Sequence, residues 1–587
     1  PNDTVTFAYD AVGHLLSAQD GDSKVEFAYD PINRPLHDRT TDLGGQPTTT
    51  ITRTYDALGR RVSVGDSAGG ITQYSYNNLD YLTKIQPSLG GAITALYDAS
   101  GRPTKVTFAN AAATNYSYDA NGRLQSLTHT KSDNSSIFAN SFEYNAVSNV
   151  TKIIEGAIQR QFTYDPLRRV VSGGATTSPE SYSYDAVGNR TASFLSVLHR
   201  VDDANRLLED DQFNYTYDAT GNLTTKTRKS DNSQTTFTFN AFDQLTAING
   251  ANGLAVNYRY DALGRRIEKK VGEQITRYVY DGAHIRLEFN GSNQLNARFI
   301  HGDGVDAVLA MERGGAVYYY LTDHLGSVRK VVNASGNTVN SYEYDSYGRR
   351  TTAQETVASP FSFTGREYDA ESGNYYYRAR YYDPQTGRFT SEDPLGLAGG
   401  DPNLYNYVRN NPVNSIDPSG LFSFWDVLDV ASFGLSLYDF IKCPSLSNGL
   451  NLALDTIGLL PLVPGIGTVR RGLDIADGLH DASNAADAVR RANPSSFTPE
   501  TLVTTLDGLM PIADIKEGDY VLAYHEETGK FDYYPVSAAV SKEDPVLIVL
   551  TLQDEDGDET VVTTPIHPFY TVAATSGIMS DGQGIWT

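Results

Sequence analysis

The sequence predicts a mostly β protein that is assembled from short hairpins. Its 587 residues include 39 Tyr and 23 Phe but only 2 Trp, together with 51 Gly and 24 Pro. This composition is typical of many short strands and turns. A Tyr-x-Tyr-Asp unit also recurs, most often at intervals of 20 to 26 residues. These observations disfavour a mostly helical fold and favour a β-solenoid built from repeats.

Each part of the repeat has a structural interpretation. Residues 116–124 read Tyr-Ser-Tyr-Asp-Ala-Asn-Gly-Arg-Leu. The two tyrosines lie on one face of a strand, because strand side chains alternate. Asp-x-x-Gly matches a type I turn, and the following Arg and Leu begin the return strand. Further copies centre on Tyr9, Tyr29, Tyr55, Tyr97, Tyr164, Tyr184, Tyr217, Tyr260, Tyr280 and Tyr344, with degenerate copies at Tyr76, Tyr144 and Phe239.

One hairpin is too small to bury its own face, so each repeat must be stabilised by its neighbours. The repeated tyrosines and arginines are interpreted mainly as stacked side chains that hold adjacent hairpins together. A carbohydrate-binding aromatic face is the alternative interpretation of the same rings.

The repeat array resembles the YD-repeat or Rhs family, which includes the C components of insecticidal Tc toxins and the teneurins. The resemblance covers about residues 1–421. It implies a long β-sheet strip wound into a hollow shell, which in the toxin members encloses the C-terminal part of the same polypeptide.

The pattern changes from Tyr318 onwards. The new motifs are Tyr-Tyr-Tyr-Leu-Thr-Asp-His-Leu-Gly at 318–326, Tyr-Tyr-Tyr-Arg-Ala-Arg-Tyr-Tyr-Asp-Pro at 375–384, Asp-Pro-Leu-Gly-Leu at 393–397 and Asp-Pro-Ser-Gly-Leu at 417–421. They resemble the Rhs-associated core. That resemblance implies a plug for the shell and an intramolecular aspartyl protease.

Paired carboxylates give this protease a chemical basis. Asp393 and Asp417 each begin an Asp-Pro-x-Gly-Leu segment. Two carboxylates brought close together cannot both ionise easily, so one can act as general acid while the other activates water. By motif position, Arg380 would hold one of them ionised. The resemblance places the cleaved bond between Leu421 and Phe422.

Two other interpretations compete with this site. Asp-Pro-Ser-Gly is also a favourable type I turn, with Pro at its second position, and needs no catalytic role. Asp383 also precedes a proline, so it is the residue most easily confused with the catalytic pair.

The repeat stops at Phe422, where the apolar spacing becomes helical. A second helix is predicted over 470–491, after a segment rich in Pro and Gly. The segment is interpreted as a helical connector or, alternatively, as a pre-toxin segment that contacts the shell interior or assists membrane passage. Cys443 is assigned no chemistry.

A β pattern returns from Ser495. The sequence Thr-Leu-Val at 501–503 and Thr-Pro-Ile-His at 564–567 resemble a pretoxin Hint domain. The resemblance implies that Ser496 occupies the usual Cys position, while Thr564 and His567 polarise the attacked carbonyl. A serine hydroxyl is a much poorer nucleophile than a thiolate, so both an active and an inactive module stay open.

Composition excludes several other functions. The net charge of −24 disfavours a general nucleic-acid binder. A single cysteine excludes an internal disulfide framework or a cysteine-based zinc cluster, and no cofactor or metal is expected. No uncharged apolar run reaches membrane-spanning length, so no stable span is expected. Because the chain begins inside a repeat at Pro1, the true N-terminus is expected elsewhere.

These patterns predict four segments. They are a YD-repeat shell at 1–317, a core with the autoproteolysis site at 318–421, a helical pre-toxin linker at 422–494 and an incomplete Hint-like domain at 495–587. The resemblance implies a secreted or cell-surface bacterial toxin carrier that encloses a C-terminal toxic cargo and cuts itself after Leu421. Its expected partners are that cargo, delivery or secretion proteins and an immunity protein. A carbohydrate-binding adhesion protein is the alternative.

Overall fold

The computed structural model describes residues 4–44, 48–251, 253–302 and 304–421, together with six strands between Leu502 and Thr563. The chain forms two compact units, Pro1–Cys443 and Pro444–Thr587. The predicted helices of the 422–494 segment lie outside the described residues. No helix in the described part of the chain is long and apolar enough to cross a membrane.

The first unit begins with a 19-stranded antiparallel sheet, which we call the first strip. Nearly every strand pairs with its neighbours in sequence, so the sheet is a long meander. Its strands are β1 (Thr6–Tyr9), β2 (Leu15–Gln19), β3 (Ser23–Tyr29), β4 (Pro35–Asp42), β5 (Thr49–Tyr55), β6 (Arg61–Asp66), β7 (Ile71–Tyr76), β8 (Leu82–Pro87), β9 (Ile93–Tyr97), β10 (Pro103–Thr107), β11 (Ala113–Tyr118), β12 (Leu124–Thr130), β13 (Ser136–Tyr144), β14 (Val150–Glu155), β15 (Ile158–Gln161), β16 (Thr163–Tyr164), β17 (Val170–Ala175), β18 (Ser178–Tyr184) and β19 (Arg190–Ser193).

A second meander of 16 strands follows, which we call the second strip. It continues without a break across residue 318, where the sequence motifs change. Its strands are β20 (His199–Val201), β21 (Leu207–Asp210), β22 (Phe213–Tyr217), β23 (Leu223–Arg228), β24 (Gln234–Phe239), β25 (Leu245–Gly250), β26 (Ala255–Tyr260), β27 (Arg266–Val271), β28 (Gln274–Asp281), β29 (His284–Asn290), β30 (Leu295–His301), β31 (Val308–Arg313), β32 (Ala316–Thr322), β33 (Val328–Asn333), β34 (Thr338–Tyr344) and β35 (Arg350–Glu355).

The repeat links each hairpin to the next through one set of contacts. In the turn at 119–122, Asp119 accepts a hydrogen bond from the Arg123 backbone N–H at 2.9 Å and one from its Nε at 2.7 Å. Gly122 has a φ of +84°, which favours glycine. The Arg123 guanidinium lies 4.6 Å from the ring centroid of Tyr144 in the next hairpin. The Tyr144 hydroxyl donates back to the Leu124 carbonyl at 2.7 Å.

The same arginine-over-tyrosine contact recurs along both strips. The pairs are Arg34 with Tyr55, Arg60 with Tyr76, Arg102 with Tyr118, Arg169 with Tyr184, and Arg265 with Tyr280. Each such contact contributes about 0.5 to 2 kcal/mol, depending on its exposure. The structure therefore agrees with the interpretation of these side chains as links between hairpins. Carbohydrate binding by the same rings stays an untested alternative.

The two strips pack against each other through side chains. A shared apolar cluster contains, among others, Ile51, Val64, Ile85 and Ile93 of the first strip and Val279, Leu287, Ile300 and Val332 of the second. Ion pairs cross the same interface, including Asp66 with Arg298 at 2.8 Å and Glu155 with Arg329 at 2.9 Å. Both apolar burial and charge pairing therefore hold one strip on the other.

Residues 356–421, which we call the junction segment, are the last part of the first unit that the structure describes. They contain a small antiparallel sheet and three short 3₁₀ turns. The strands are β36 (Glu367–Asp369), β37 (Asn374–Tyr377), β38 (Arg380–Asp383) and β39 (Arg388–Phe389), and the turns are Phe363–Gly365, Gly396–Gly399 and Val408–Asn410.

The junction segment has an aromatic core and contacts repeat turns of both strips. Its buried rings include Tyr375, Tyr377, Tyr382, Phe389 and Tyr407. The Asn410 side-chain amide donates to the Gly188 carbonyl of the first strip at 2.8 Å. The Tyr405 hydroxyl donates to the Gly221 carbonyl of the second strip at 2.7 Å. These contacts join the segment to turns that are far apart in the sequence.

The second unit contains a six-stranded antiparallel sheet in the order β41-β40-β42-β43-β44-β45. The strands are β40 (Leu502–Thr505), β41 (Gly508–Pro511), β42 (Tyr520–His525), β43 (Lys530–Val540), β44 (Leu547–Asp554) and β45 (Gly557–Thr563). The β pattern predicted after Ser495 thus corresponds to strands from Leu502 onwards.

Candidate active site

The three predicted protease residues lie together in the junction segment. Arg380 begins β38 and is 4% exposed. Its Nη2 lies 2.8 Å from Asp393 Oδ2 and 3.8 Å from Asp417 Oδ2. The side chains of Asp393 and Asp417 are 9% and 3% exposed. One buried guanidinium therefore faces both carboxyl groups.

Further contacts fix the position of the Arg380 guanidinium. It donates to the carbonyl oxygen of Leu404 at 2.8 Å and to that of Gly420. Its central carbon lies 3.7 Å from the ring centroid of Phe389. A planar group with carbonyl acceptors on its edge and a ring on its face has little rotational freedom. The Arg380 guanidinium is thus held in one orientation, facing both aspartates.

Asp417 holds the turn that leads to the predicted cleavage position. Its Oδ1 accepts hydrogen bonds from the backbone N–H of Gly420 at 2.9 Å and of Leu421 at 3.1 Å, and from the Ser419 hydroxyl at 3.2 Å. Three donors on one oxygen stabilise the charged carboxylate. The Asp-Pro-Ser-Gly segment therefore forms the predicted turn, and its Asp417 is also one member of the carboxyl pair.

Glycines allow the close approach of the chain at this site. Gly420 has a φ of +74°, and a Cβ there would overlap the Tyr377 carbonyl oxygen. A Cβ on Gly399 would lie 2.9 Å from Asp393 Oδ2 and 3.3 Å from the Leu421 carbonyl oxygen. Asp393 Oδ2 and the Leu421 carbonyl oxygen therefore both lie close to Gly399. We expect a larger residue at either glycine to push the reacting groups apart.

Burial shifts the pKa values of three charged groups at the site. Burial raises the pKa of Asp393, and this effect outweighs the opposing effect of Arg380. Burial also lowers the pKa of Arg380, although Asp393 and Asp417 oppose that shift. Asp401, whose own pKa is raised by burial, further raises the pKa of Asp393 by its charge. Burial thus favours the protonated form of Asp393, although that carboxyl group lies beside Arg380.

The competing aspartate lies in a different environment. Asp383 Oδ2 is 3.5 Å from Lys226 Nζ of the second strip, and Asp383 Oδ1 accepts the Gln385 backbone N–H at 2.8 Å. It therefore anchors a turn to the strip. Asp401 was not among the predicted site residues, although it also precedes a proline. Gly399 was not among them either, because it has no distinguishing motif.

The remaining predicted site residues lie outside the described residues. Phe422, on the far side of the predicted cleaved bond, is one of them, as are Ser496, Thr564 and His567 of the Hint-like segment. Their assignments stay predictions. Among the residues that the structure describes, no group of three or more His, Cys, Asp or Glu side chains is arranged to hold a metal ion.

Three family models match the chain. The Teneurin YD-shell model matches residues 128–413, the RHS Repeat model matches residues 97–133 and the Pretoxin HINT domain model matches residues 502–578. These matches confirm the resemblances drawn from the sequence. The HINT match includes the positions of Thr564 and His567 and begins after Ser496.

Similar proteins include named nucleases. The tRNA3(Ser)-specific nuclease WapA of Bacillus spizizenii is 33% identical over 275 residues, which are 44% of this chain and 11% of that protein. The probable deoxyribonuclease RhsA of Dickeya dadantii is 26% identical over 398 residues, which are 60% of this chain and 26% of that protein. The chain thus spans about a tenth to a quarter of the length of these relatives.

A solved structure shares the fold of the chain. The crystal structure of TcdB2-TccC3-TEV matches 72% of this chain and 25% of the other chain, with a TM-score of 0.60 and 21% sequence identity. At this identity the likeness establishes the fold alone. The predicted mostly β fold is confirmed by this likeness and by the two long strips.

Proposed function

The chain belongs to the Rhs/YD-repeat family of polymorphic-toxin proteins, and from this premise we propose that it is a toxin carrier that cuts its own backbone after Leu421. The strips and the junction segment would enclose the C-terminal part of the polypeptide, and cleavage would separate that part from its carrier. The only enzymatic reaction in this proposal is one that the protein performs on itself.

One observation supports this function above the others. The carboxyl groups of Asp393 and Asp417, 24 residues apart in the sequence, lie on one buried guanidinium, and Asp417 also binds the backbone of Leu421. An aspartyl protease needs two carboxyl groups of unequal protonation beside the peptide that it cuts. A turn with a purely structural role would not require the second carboxyl group or the buried arginine.

The geometry supports a division of roles between the two aspartates. Asp417, stabilised as a carboxylate by three donors, takes a proton from a water molecule whose oxygen attacks the Leu421 carbonyl carbon. Asp393, whose pKa is raised by burial, gives its proton to the departing nitrogen of Phe422. The C–N bond breaks, so the products are a carboxyl group on Leu421 and an amine on Phe422.

The biological role extends this chemistry. Relatives with nuclease names suggest that the cargo is a toxic enzyme. We propose that the full-length protein has three kinds of partner: this cargo, proteins that deliver or secrete it, and an immunity protein. The proposed site of action is outside the producing cell or at its surface. The HINT-like segment would be a second processing element, in which Ser496 replaces the more nucleophilic cysteine.

The test is the covalent state of the purified protein. We expect the wild-type chain to give two fragments on a denaturing gel, and we expect N-terminal sequencing of the smaller one to begin at Phe422. Intact mass measurement would place the other new terminus at Leu421. A chain that stays full-length under these conditions contradicts the proposed protease, and a new terminus near Ser496 alone would assign the cleavage to the HINT-like segment.

The rate of cleavage is expected to depend on pH. Asp393 must carry a proton to act as the acid, and burial raises its pKa, so the rate should fall as pH rises through that raised pKa. It should also fall at low pH, where the base becomes protonated. Pulse-labelled chains moved into buffers between about pH 4 and about pH 9 would give the profile as fragment formed over time. A rate that increases continuously with pH would contradict the assignment of Asp393.

A further inference from the structure

We propose that Asp306 and Arg378 are positioning residues that make self-cleavage depend on the docking of the junction segment against the second strip. This inference rests on the proposed protease and concerns residues that do not touch the cleaved bond. In this view, a chain whose strip is not yet in place does not release its C-terminal part.

Arg378 connects the strip to the turn that carries Asp417. It lies between β37 and β38, with a φ of +60° that a non-glycine residue rarely adopts. Its Nη1 donates to the Pro418 carbonyl, in the middle of the Asp-Pro-Ser-Gly turn. Its Nη2 donates to Asp306 Oδ1 and to the Ala283 carbonyl, both in turns of the second strip. One side chain thus contacts the reacting turn and two turns of the strip.

Asp306 is the buried carboxylate of the second strip that holds the Arg378 side chain. It is 7% exposed and also pairs with Arg366 Nη1 at 2.9 Å. Burial raises its pKa, but Arg366 and Arg378 together lower it to about 2. His284, whose Nδ1 lies 3.9 Å away, and His301, which stacks on His284, also feel the charge of Asp306. Asp306 therefore stays charged at neutral pH and holds Arg378 in place.

Only a short stretch of chain separates Arg378 from the residues that face the carboxyl pair. Arg380, which faces both aspartates, lies two residues after Arg378, and the Ala379 backbone N–H donates to the Ser419 carbonyl at 3.1 Å. A shift of this turn would therefore move Arg380 and Asp417 relative to each other. Displacements of about 1 Å in a reacting geometry can cost about 100-fold in rate.

The experiment compares two buried ion pairs between the junction segment and the second strip. Asp306→Asn removes the carboxylate that pairs with Arg378 and Arg366, and Arg366 keeps its pair with Glu367 at 2.6 Å. Asp369→Asn breaks the pair between Asp369 and Arg266, which are 2.6 Å apart and 1% exposed on both sides. The control pair has similar burial, but Asp369 has no hydrogen bond to the Asp417 turn among those of the described residues. Both variants would be made as the full chain by pulse-labelled cell-free synthesis, and fragment formation would be followed over time.

We expect Asp306→Asn to cleave about 10- to 100-fold more slowly than wild type, and Asp369→Asn to stay within about threefold. Arg378→Met should resemble Asp306→Asn, while Arg378→Lys, which keeps a charged donor, should recover part of the rate. Size-exclusion chromatography and thermal unfolding would compare the folded state of all the variants. Recovery of the rate by lysine without a matching change in the unfolding temperature is a result that general destabilisation does not produce.

The outcomes separate this inference from the proposed protease. If wild type is cut at Leu421 and Asp306→Asn is cut at the same rate, the positioning role is wrong and the protease stands. If Asp306→Asn and Asp369→Asn are slowed equally, the effect is one of stability, and the positioning role is again wrong. If wild type is not cut, the proposed protease fails, and the inference fails with it.

Discussion

The Asp417→Asn chain is expected to remain a single polypeptide under conditions in which wild type is cut after Leu421. The asparagine amide oxygen can still accept the backbone N–H groups of Gly420 and Leu421 that Asp417 Oδ1 accepts now. The turn is therefore kept, while the group that takes a proton from water is lost. Loss of a general base typically lowers a rate by about 10²- to 10⁴-fold.

Asp383→Asn is the matched control for this experiment. It changes another aspartate that precedes a proline in the same segment, but Asp383 pairs with Lys226 and caps its own turn. We expect that variant to be cut like wild type, as judged by the fragments on a denaturing gel and by their intact masses. Cleavage of Asp417→Asn at the wild-type rate would show that another group activates the water.

The largest loss of stability is expected from Asp66→Asn, at the interface between the two strips. The Asp66 carboxylate is fully buried, with two bonds from Arg298 at 2.8 and 2.9 Å and one from Arg286 at 3.4 Å. Removing its charge takes the paired carboxylate from the buried Arg286 and one of two carboxylates from Arg298, which keeps Glu312 at 2.6 Å. Breaking a buried pair in this way costs about 3 to 5 kcal/mol of unfolding free energy.

Chemical unfolding would measure this loss in an Asp417→Asn background, which keeps the chain intact. Glu26→Gln is the control, because its pair with Lys24 is about one-third exposed on both sides and should contribute about 1 kcal/mol or less. Burial raises the pKa of Asp66, but Arg298 and Arg286 lower it overall. Its stabilisation is therefore present at neutral pH and lost as pH falls through the lowered pKa. Equal midpoints for the two variants would contradict this assignment.

The repeat unit could be predicted from sequence because its contacts are local. The Asp-x-x-Gly turn and the arginine four residues after the aspartate are set by short-range spacing, as the contacts of Asp119, Gly122 and Arg123 illustrate. By contrast, Asp66 and Arg298 are 232 residues apart. Which repeat faces which depends on how the strips lie on each other, and no spacing in the sequence encodes that alignment.

Some residues of the candidate site could likewise be predicted from sequence motifs, and others could not. Asp393, Asp417 and Arg380 stand in recognisable motifs, so sequence reasoning could name them. Arg378 stands in the same Tyr-Tyr-Tyr-Arg-Ala-Arg run but gave no signal, because its partner Asp306 lies in a turn without a motif. Its left-handed backbone was also unexpected, since such a conformation usually indicates glycine or asparagine.

The meander topology has a consequence for how the protein is made and opened. Within each strip the backbone pairs strands that are close in sequence, so the hairpins can form one after another as the chain leaves the ribosome, with low contact order. Between the strips, contacts such as Asp66 with Arg298 are made by side chains, and no β-ladder joins the strips in the described part of the chain. The two strips can therefore come apart from each other without the loss of any β-ladder, whereas opening either strip breaks backbone hydrogen bonds.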